Sequence, residues 1–300
     1  MNVDGPALVG SYDYRLIAVS ILVAIFAAYA SMGLAGRITV ARGATRFAWL
    51  GGGSFAMGTG IWSMHCVAME ALRLPVPVEY DWPTVLLSMV AAVAASAVAL
   101  FVVSRKTMGI TASLVGSTLT GFGIAAMHYI GMEAMRLPAM CSYSFRLVAL
   151  SVVLAVLLSF VVLWSTFAVK GQTATWSWRR SGWALLMGLA ILVMHYVGMA
   201  AVSFIPTPLP ASELAHAVGI SQLGVAGIGL ATLIVLGLVF RMPVLDRRFS
   251  LQAMKLEMSD ERYRLMAETT NDRARAKAAE GGSQAMSELL VGTSQEIHIH

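Results

Sequence analysis

Trp62-Ser63-Met64-His65-Cys66-Val67-Ala68-Met69-Glu70 recurs in this 300-residue chain as Ala126-Met127-His128-Tyr129-Ile130-Gly131-Met132-Glu133 and as Val193-Met194-His195-Tyr196-Val197-Gly198-Met199-Ala200. The histidines stand 63 and 67 residues apart, each directly after a Met and four residues before another. The match extends upstream. Gly58, Gly121 and Gly188 lie seven residues before the His, Gly60, Gly123 and Ala190 five before, and Ala68, Gly131 and Gly198 three after. On an α-helix seven residues back and four forward are 700° and 400° of rotation, so Gly, His and the second Met share a face about 60° wide. Small residues on such a face let membrane helices approach closely, which predicts that it points into a bundle.

The surrounding chain supplies that bundle. Hydrophobic residues make up 58% and charged ones 12%, against about a quarter charged in soluble domains. The remaining charges separate apolar tracts of roughly 20 residues, the length a helix needs to cross a bilayer. Tracts run over Leu16 to Leu34, Phe47 to Met69, Thr84 to Val103, Met108 to Met132, Leu147 to Val169, Trp183 to Phe204 and Val218 to Phe240. The predicted fold is all-α: a polytopic bundle of about seven transmembrane helices, three parallel two-helix repeats plus a final helix. Residues 1–244 form the membrane domain, 245–279 a cytoplasmic helical linker and 280–300 a disordered tail. Asp4 and Asp13 precede the first tract and no basic n-region does, so that tract reads as a retained span.

Charge placement gives orientation. The net charge of +5 lies at the ends of apolar segments and does not read as a nucleic-acid footprint. Arg37, Arg42, Arg46, Arg105, Lys106, Lys170, Arg179 and Arg180 occupy the loops after spans one, three and five; only Arg73, Arg136 and Arg146 are basic in the opposite loops, which also carry Glu213. Eight against three puts the N-terminus outside and the C-terminus, with Arg247 and Arg248, in the cytoplasm. The three motif helices then run outward together and bring their histidines to one depth near the outer leaflet. Two cysteines, Cys66 and Cys141, allow at most one disulfide, on that outer side. The Glu70/Arg73 and Glu133/Arg136 spacings read as interfacial ion pairs at helix exits. His298 and His300 read as an unstructured end.

A histidine in an apolar helix must satisfy two ring nitrogens without water, which makes it a functional candidate. Three at one depth, each with Met at a fixed offset, read as a metal site of His65, His128 and His195 with Met69, Met132 and Met199. Met64, Met127 and Met194 are rotated about 100° away, suited to a second site or to packing. Imidazole and thioether together form a soft to borderline donor set that favours copper, above all Cu(I). Zinc has less support, because no thiolate or carboxylate recurs. Haem has less as well, since an odd number of His on a small-residue face suits an ion better than a macrocycle. No recurring Ser-His-acid set or phosphate-binding loop points to an enzyme.

Met127-His128-Tyr129 and Met194-His195-Tyr196, with Met64-His65-Cys66 as a variant, resemble the signature of the MHYT domain, a bacterial integral membrane sensor module. The resemblance covers helices one to seven. It implies a copper site built from the motif His and Met, detection of a diatomic gas (oxygen, carbon monoxide or nitric oxide), an inner-membrane location and a cytoplasmic output domain. The segment from Met258 to Asp272 resembles the opening helix of a PAS domain. Leu251, Met254, Met258 and Leu265 at spacings of three, four and seven suit a short coiled-coil linker and hence a homodimer. A metal-ion transporter is the alternative reading of the same residues.

Overall fold

The computed structural model describes residues 7–169, 178–208 and 216–297; Lys170, Glu213, His298 and His300, read above from sequence, lie outside them. Among the described residues the chain forms seven α-helices: α1 (Tyr14–Val40), α2 (Gly43–Glu70), α3 (Trp82–Val103), α4 (Ile110–Glu133), α5 (Phe145–Val169), α6 (Trp178–Ala200) and α7 (Ile220–Ile297). The all-α bundle is as predicted. Helix starts follow local chemistry: Asp13 caps α1 by accepting from the Arg15 amide (3.0 Å), and Asp81 caps α3 by accepting from the Thr84 amide (3.1 Å). Gly43, at φ 55°, supplies the left-handed residue that reverses the chain between α1 and α2.

Five helices, α1, α3, α4, α5 and α6, are long and apolar enough to cross a membrane. The helix α2 is as long but carries Gly51, Gly52, Gly53, Gly58 and Gly60 together with Arg46 and His65. Its half from Gly53 onward is almost wholly buried, so protein rather than lipid is its solvent and high hydropathy is not required of it. Among the described residues the apolar part of α7 includes Ser221–Val235, and its sequence stays free of charge to Phe240. Leu86, Leu87 and Val90 on α3 and Leu150, Val153 and Leu157 on α5 remain exposed, as lipid-facing side chains do.

Helices pack as three hairpins, α1 with α2, α3 with α4 and α5 with α6, joined by α2 to α3, α4 to α5 and α6 to α1. The last contact closes a ring. At the seam between hairpins stands the Gly seven residues before each His: a β-carbon at Gly58 would overlap the backbone of Val93 on α3, one at Gly121 that of Val156 on α5, and one at Gly188 would crowd Ile25 on α1. These glycines therefore pack against the next hairpin's first helix and not against one another, which corrects the expectation of one face pointing throughout at the bundle interior. Gly60 and Gly123 meet Ala27 and Ala95 within their own hairpins.

Short strands, invisible in the hydropathy pattern, clasp the end where α2, α4 and α6 finish. They are β1 (Ser11–Tyr12), β2 (Leu72–Arg73), β3 (Glu79–Asp81), β4 (Met135–Arg136), β5 (Ala139–Tyr143), β6 (Val202–Pro206) and β7 (Ala217–Gly219). All pairings are antiparallel: β1 with β2, β3 with β4 and β7, and β5 with β6. In each hairpin the residue before the first helix donates its amide to the carbonyl at the end of the second: Asp13 to Ala71 (2.8 Å), Asp81 to Ala134 (2.9 Å) and Ser144 to Ala201 (2.8 Å).

The chain separates into two compact units, Met1–Val239 and Phe240–His300. In the second, α7 continues to Ile297, through residues whose polarity predicts a disordered tail; Ala, Glu, Gln, Met and Leu there carry high helix propensity, which polarity does not remove. Leu251, Met254, Met258 and Leu265 are all exposed on it.

Candidate metal centre

Each motif histidine lies five residues, about one and a half turns, before the end of its helix, and the closed ring turns all three inward. Their ring centroids form a nearly equilateral triangle: 5.2 Å from His65 to His128, 5.1 Å from His65 to His195 and 5.0 Å from His128 to His195, with interplanar angles of 81°, 80° and 85°. All three are buried. One nitrogen of each lies within 4.8 Å of one nitrogen of the other two. The spacing of the repeats in the sequence is thus a spacing around an axis.

The hydrogen bonding of these rings is incomplete. His65 Nδ1 faces His195 Nδ1 at 3.1 Å, a contact that satisfies both only when one carries a proton and the other does not. Nε2 of His65, both nitrogens of His128 and Nε2 of His195 have no partner among the described residues. A buried polar atom left unpaired costs about 1–3 kcal/mol, and here four share one small volume. A metal ion takes one nitrogen from each ring, so one bound through the facing Nδ1 atoms of His65 and His195 and a nitrogen of His128 relieves part of that cost, and a nitrogen separation near 3 Å suits two imidazoles each about 2.0–2.1 Å from an ion. The donor set therefore fits a metal.

The small residue three positions after each His completes the arrangement. A β-carbon at Gly131 would overlap His65 Nε2, and one at Gly198 would overlap His128 Nε2. The edges of His65 and His128 therefore rest on the backbone of the next motif helix. The corresponding residue of the first copy is Ala68, buried in an apolar cluster with Met64, Ala24 and Leu192. Met64 packs in that cluster. Met69, Met132 and Met199 are all buried one turn beyond their histidines, as are Met127 and Met194 before theirs.

Two expectations are corrected. Arg73 pairs with Asp13 (3.4 Å) across β1 and β2 rather than with Glu70, and Arg136 donates to the backbone carbonyls of Glu133 (2.9 Å) and Met135 (3.3 Å). The fixed strand geometry holds each guanidinium over a neighbour that helical spacing alone does not reveal. Cys66 and Cys141 are free thiols, Cys66 within α2 and Cys141 on β5.

Sequence reasoning missed a second recurring element. Tyr12-Asp13, Tyr80-Asp81 and Tyr143-Ser144 each precede the first helix of a hairpin. Tyr12 packs edge-on against Tyr196 (6.0 Å) and Tyr143 against Tyr129 (6.0 Å); Tyr129 and Tyr196 pack in turn on His128 (4.8 Å) and His195 (5.0 Å). It also missed the contacts of α7 with the first copy. Ser63 Oγ donates to the Gly227 carbonyl (2.7 Å), Gly227 lies against Trp62, and Gly224 lies against the Glu70 carboxylate. Trp62, Ser63 and Cys66 have no like residue in the other copies, which was the available signal.

The family described as "Bacterial signalling protein N terminal repeat", MHYT, matches residues 58–116, 121–177 and 188–252. The chain is 40% identical over 253 residues to the bifunctional diguanylate cyclase/cyclic di-GMP phosphodiesterase MucR of Pseudomonas aeruginosa, covering 84% of this chain and 36% of that protein. It is 39% identical over 196 residues to the signaling protein YkoW of Bacillus subtilis (65% of this chain, 24% of that one). It is 37% identical over 201 residues to the cyclic di-GMP phosphodiesterase NbdA of Pseudomonas aeruginosa (66% and 26%). The chain thus spans little more than a third, at most, of these relatives' length. No solved structure matches it.

Proposed function

We propose, proceeding from the fact that this chain belongs to the MHYT family of bacterial signalling proteins, that it is a non-enzymatic sensor of the inner membrane whose metal is copper. The observation that carries this reading is the triangle of buried, under-partnered imidazoles at 5.0–5.2 Å. His65, His128 and His195 hold the ion, Met69, Met132 and Met199 contribute thioethers from one turn nearer the outer end, and Met64, Met127 and Met194 pack. Bound copper supplies one-electron redox chemistry and affinity for neutral diatomic gases such as oxygen, carbon monoxide or nitric oxide. The protein's part is to exclude water, hold three neutral imidazoles in register and rest the edges of two of them, His65 and His128, on glycine. The clasped end faces the periplasm and α7 leads to the cytoplasm, in agreement with the basic residues of the opposite loops. The exposed apolar stripe from Leu251 to Leu265 pairs with that of a second copy, and the relatives whose printed names describe cyclic di-GMP enzymes indicate the kind of output served.

Replacing all three histidines by Ala and measuring metal per purified chain tests the centre. Wild-type protein grown with copper is expected to carry it and the triple variant to lose it. Equal copper in the two sinks the reading, and zinc or haem in the wild type reassigns the ion. A transporter would move copper into proteoliposomes; the continuous motif helices and parallel repeats, without the broken helices common at transport sites, favour the sensor.

A further inference from the structure

In two copies the residue after the histidine is a tyrosine wedged between its own imidazole and a tyrosine of the clasp: Tyr129 between His128 and Tyr143, Tyr196 between His195 and Tyr12. In the first copy that residue is Cys66, while the clasp tyrosine, Tyr80, is retained. Where the third ring would stand there is a cavity of about 20 Å³, lined by Cys66, Tyr80, His65, Met69, Gly131 and, from α7, Gly224. A site of roughly 10–15 Å³ already holds a water.

Two unpartnered polar atoms belong to this space. Tyr80 is 5% exposed and its hydroxyl has no partner among the described residues. His65 is 3% exposed, and its unpartnered Nε2 points at Gly131, part of the cavity wall. The one other hydroxyl in the lining, Ser88, is engaged: it donates to the Val85 carbonyl (2.7 Å) and accepts from the Trp62 indole (3.2 Å). Among the described residues no Asp, Glu, Lys or Arg lines the cavity, so a charged guest would meet an uncompensated desolvation cost.

We infer that the Tyr-to-Cys departure at position 66 makes a chamber for one neutral molecule of one or two heavy atoms, held between Tyr80 Oη and His65 Nε2. The chamber gives the pseudo-threefold centre a single approach, on the side covered by α7. Its use as the approach to copper rests on the reading above; the chamber itself does not, and its test needs no metal.

Dissolved dioxygen is the probe, because its paramagnetism speeds the relaxation of nuclei beside which it resides. The full chain, with ¹³C-labelled methionine methyls, is placed in lipid nanodiscs after chelator treatment and measured under oxygen pressure. Met69 lines the chamber, and Met132 and Met199 are equally buried internal controls. The expected result is a relaxation enhancement at Met69 several-fold above that at Met132 and Met199, falling to theirs in Cys66→Tyr. Cys66→Leu is the second filling variant should the tyrosine disturb folding. Equal enhancement at the three methionines of the wild type, or a Met69 enhancement that survives filling, overturns the proposal. Absence of copper from the wild type would overturn only the metal reading.

Discussion

A β-carbon at position 131 would strike the His65 ring and one at 198 the His128 ring, so single methyl groups test the centre from its far side. Gly131→Ala and Gly198→Ala are each expected to cost about 1–3 kcal/mol through overpacking and to lower bound metal, while Gly51→Ala, inside α2 where nothing lies within 4 Å, lowers neither. Metal analysis and thermal unfolding of the three variants check this; full metal loading in Gly131→Ala would show that His65 does not need that edge. Much at this scale was legible in the sequence. The His, Gly and Met offsets recur in register, and helical phase turns register into a shared face. What could not be read was which neighbour each residue meets, because Gly58 and His65 share a face yet lie against α3 and the α4 motif at different depths. Cys66 read as a loosened signature because a missing ring is evident only where the rings around it are seen.

Among the elements, α3 owes its start to Asp81, whose carboxylate accepts from both the amide (3.1 Å) and the hydroxyl (2.6 Å) of Thr84. The hydroxyl bond first, then the amide, holds that carboxyl below its ordinary value. Asp81→Ala is expected to cost about 0.5–2 kcal/mol, read by thermal unfolding in detergent, and Asp81→Asn less. Because the folded-state value is depressed, the unfolded chain binds more protons at acid pH. The stabilisation is complete above the ordinary carboxylate value near 4 and drains away as pH falls through the lower folded value. The wild type should therefore lose its advantage over Asp81→Ala below about pH 4; an unchanged gap there would show that the cap is not electrostatic. Nearby, burial raises the Tyr80 phenol above its ordinary range, so it stays a hydroxyl donor. The helices were legible from hydropathy and the clasps were not: strands of two to five residues leave too short an alternation to read. Their trace was the repeated Tyr-Asp or Tyr-Ser before each hairpin, which lies outside the apolar tracts and so escapes a search for spans.

At the scale of the molecule the three hairpins close into a ring, and α7 lies against the motif helix of the first. Ser63 Oγ lies 2.7 Å from the Gly227 carbonyl, and a β-carbon at Gly227 would stand 3.8 Å from that oxygen. In a chain lacking Cys66 and Cys141, Ser63→Cys with Gly227→Cys is expected to link readily under mild oxidation, whereas Ala126→Cys or Val193→Cys paired with Gly227→Cys is not. Equal linking in all three would contradict that placement. The repeats made the hairpins legible, but ring closure between α1 and α6, the most distant pair of the six in sequence, leaves no local mark. A site built from three separate, identical hairpins would have to repeat every substitution three times: each would carry the cysteine or none would, and no one position could serve a lone outgoing helix. Covalent fusion removes that obligation. Once the copies share a chain, all three can keep the histidine while one drifts at the positions around it, and the unevenness that results singles out one side of an otherwise symmetric centre.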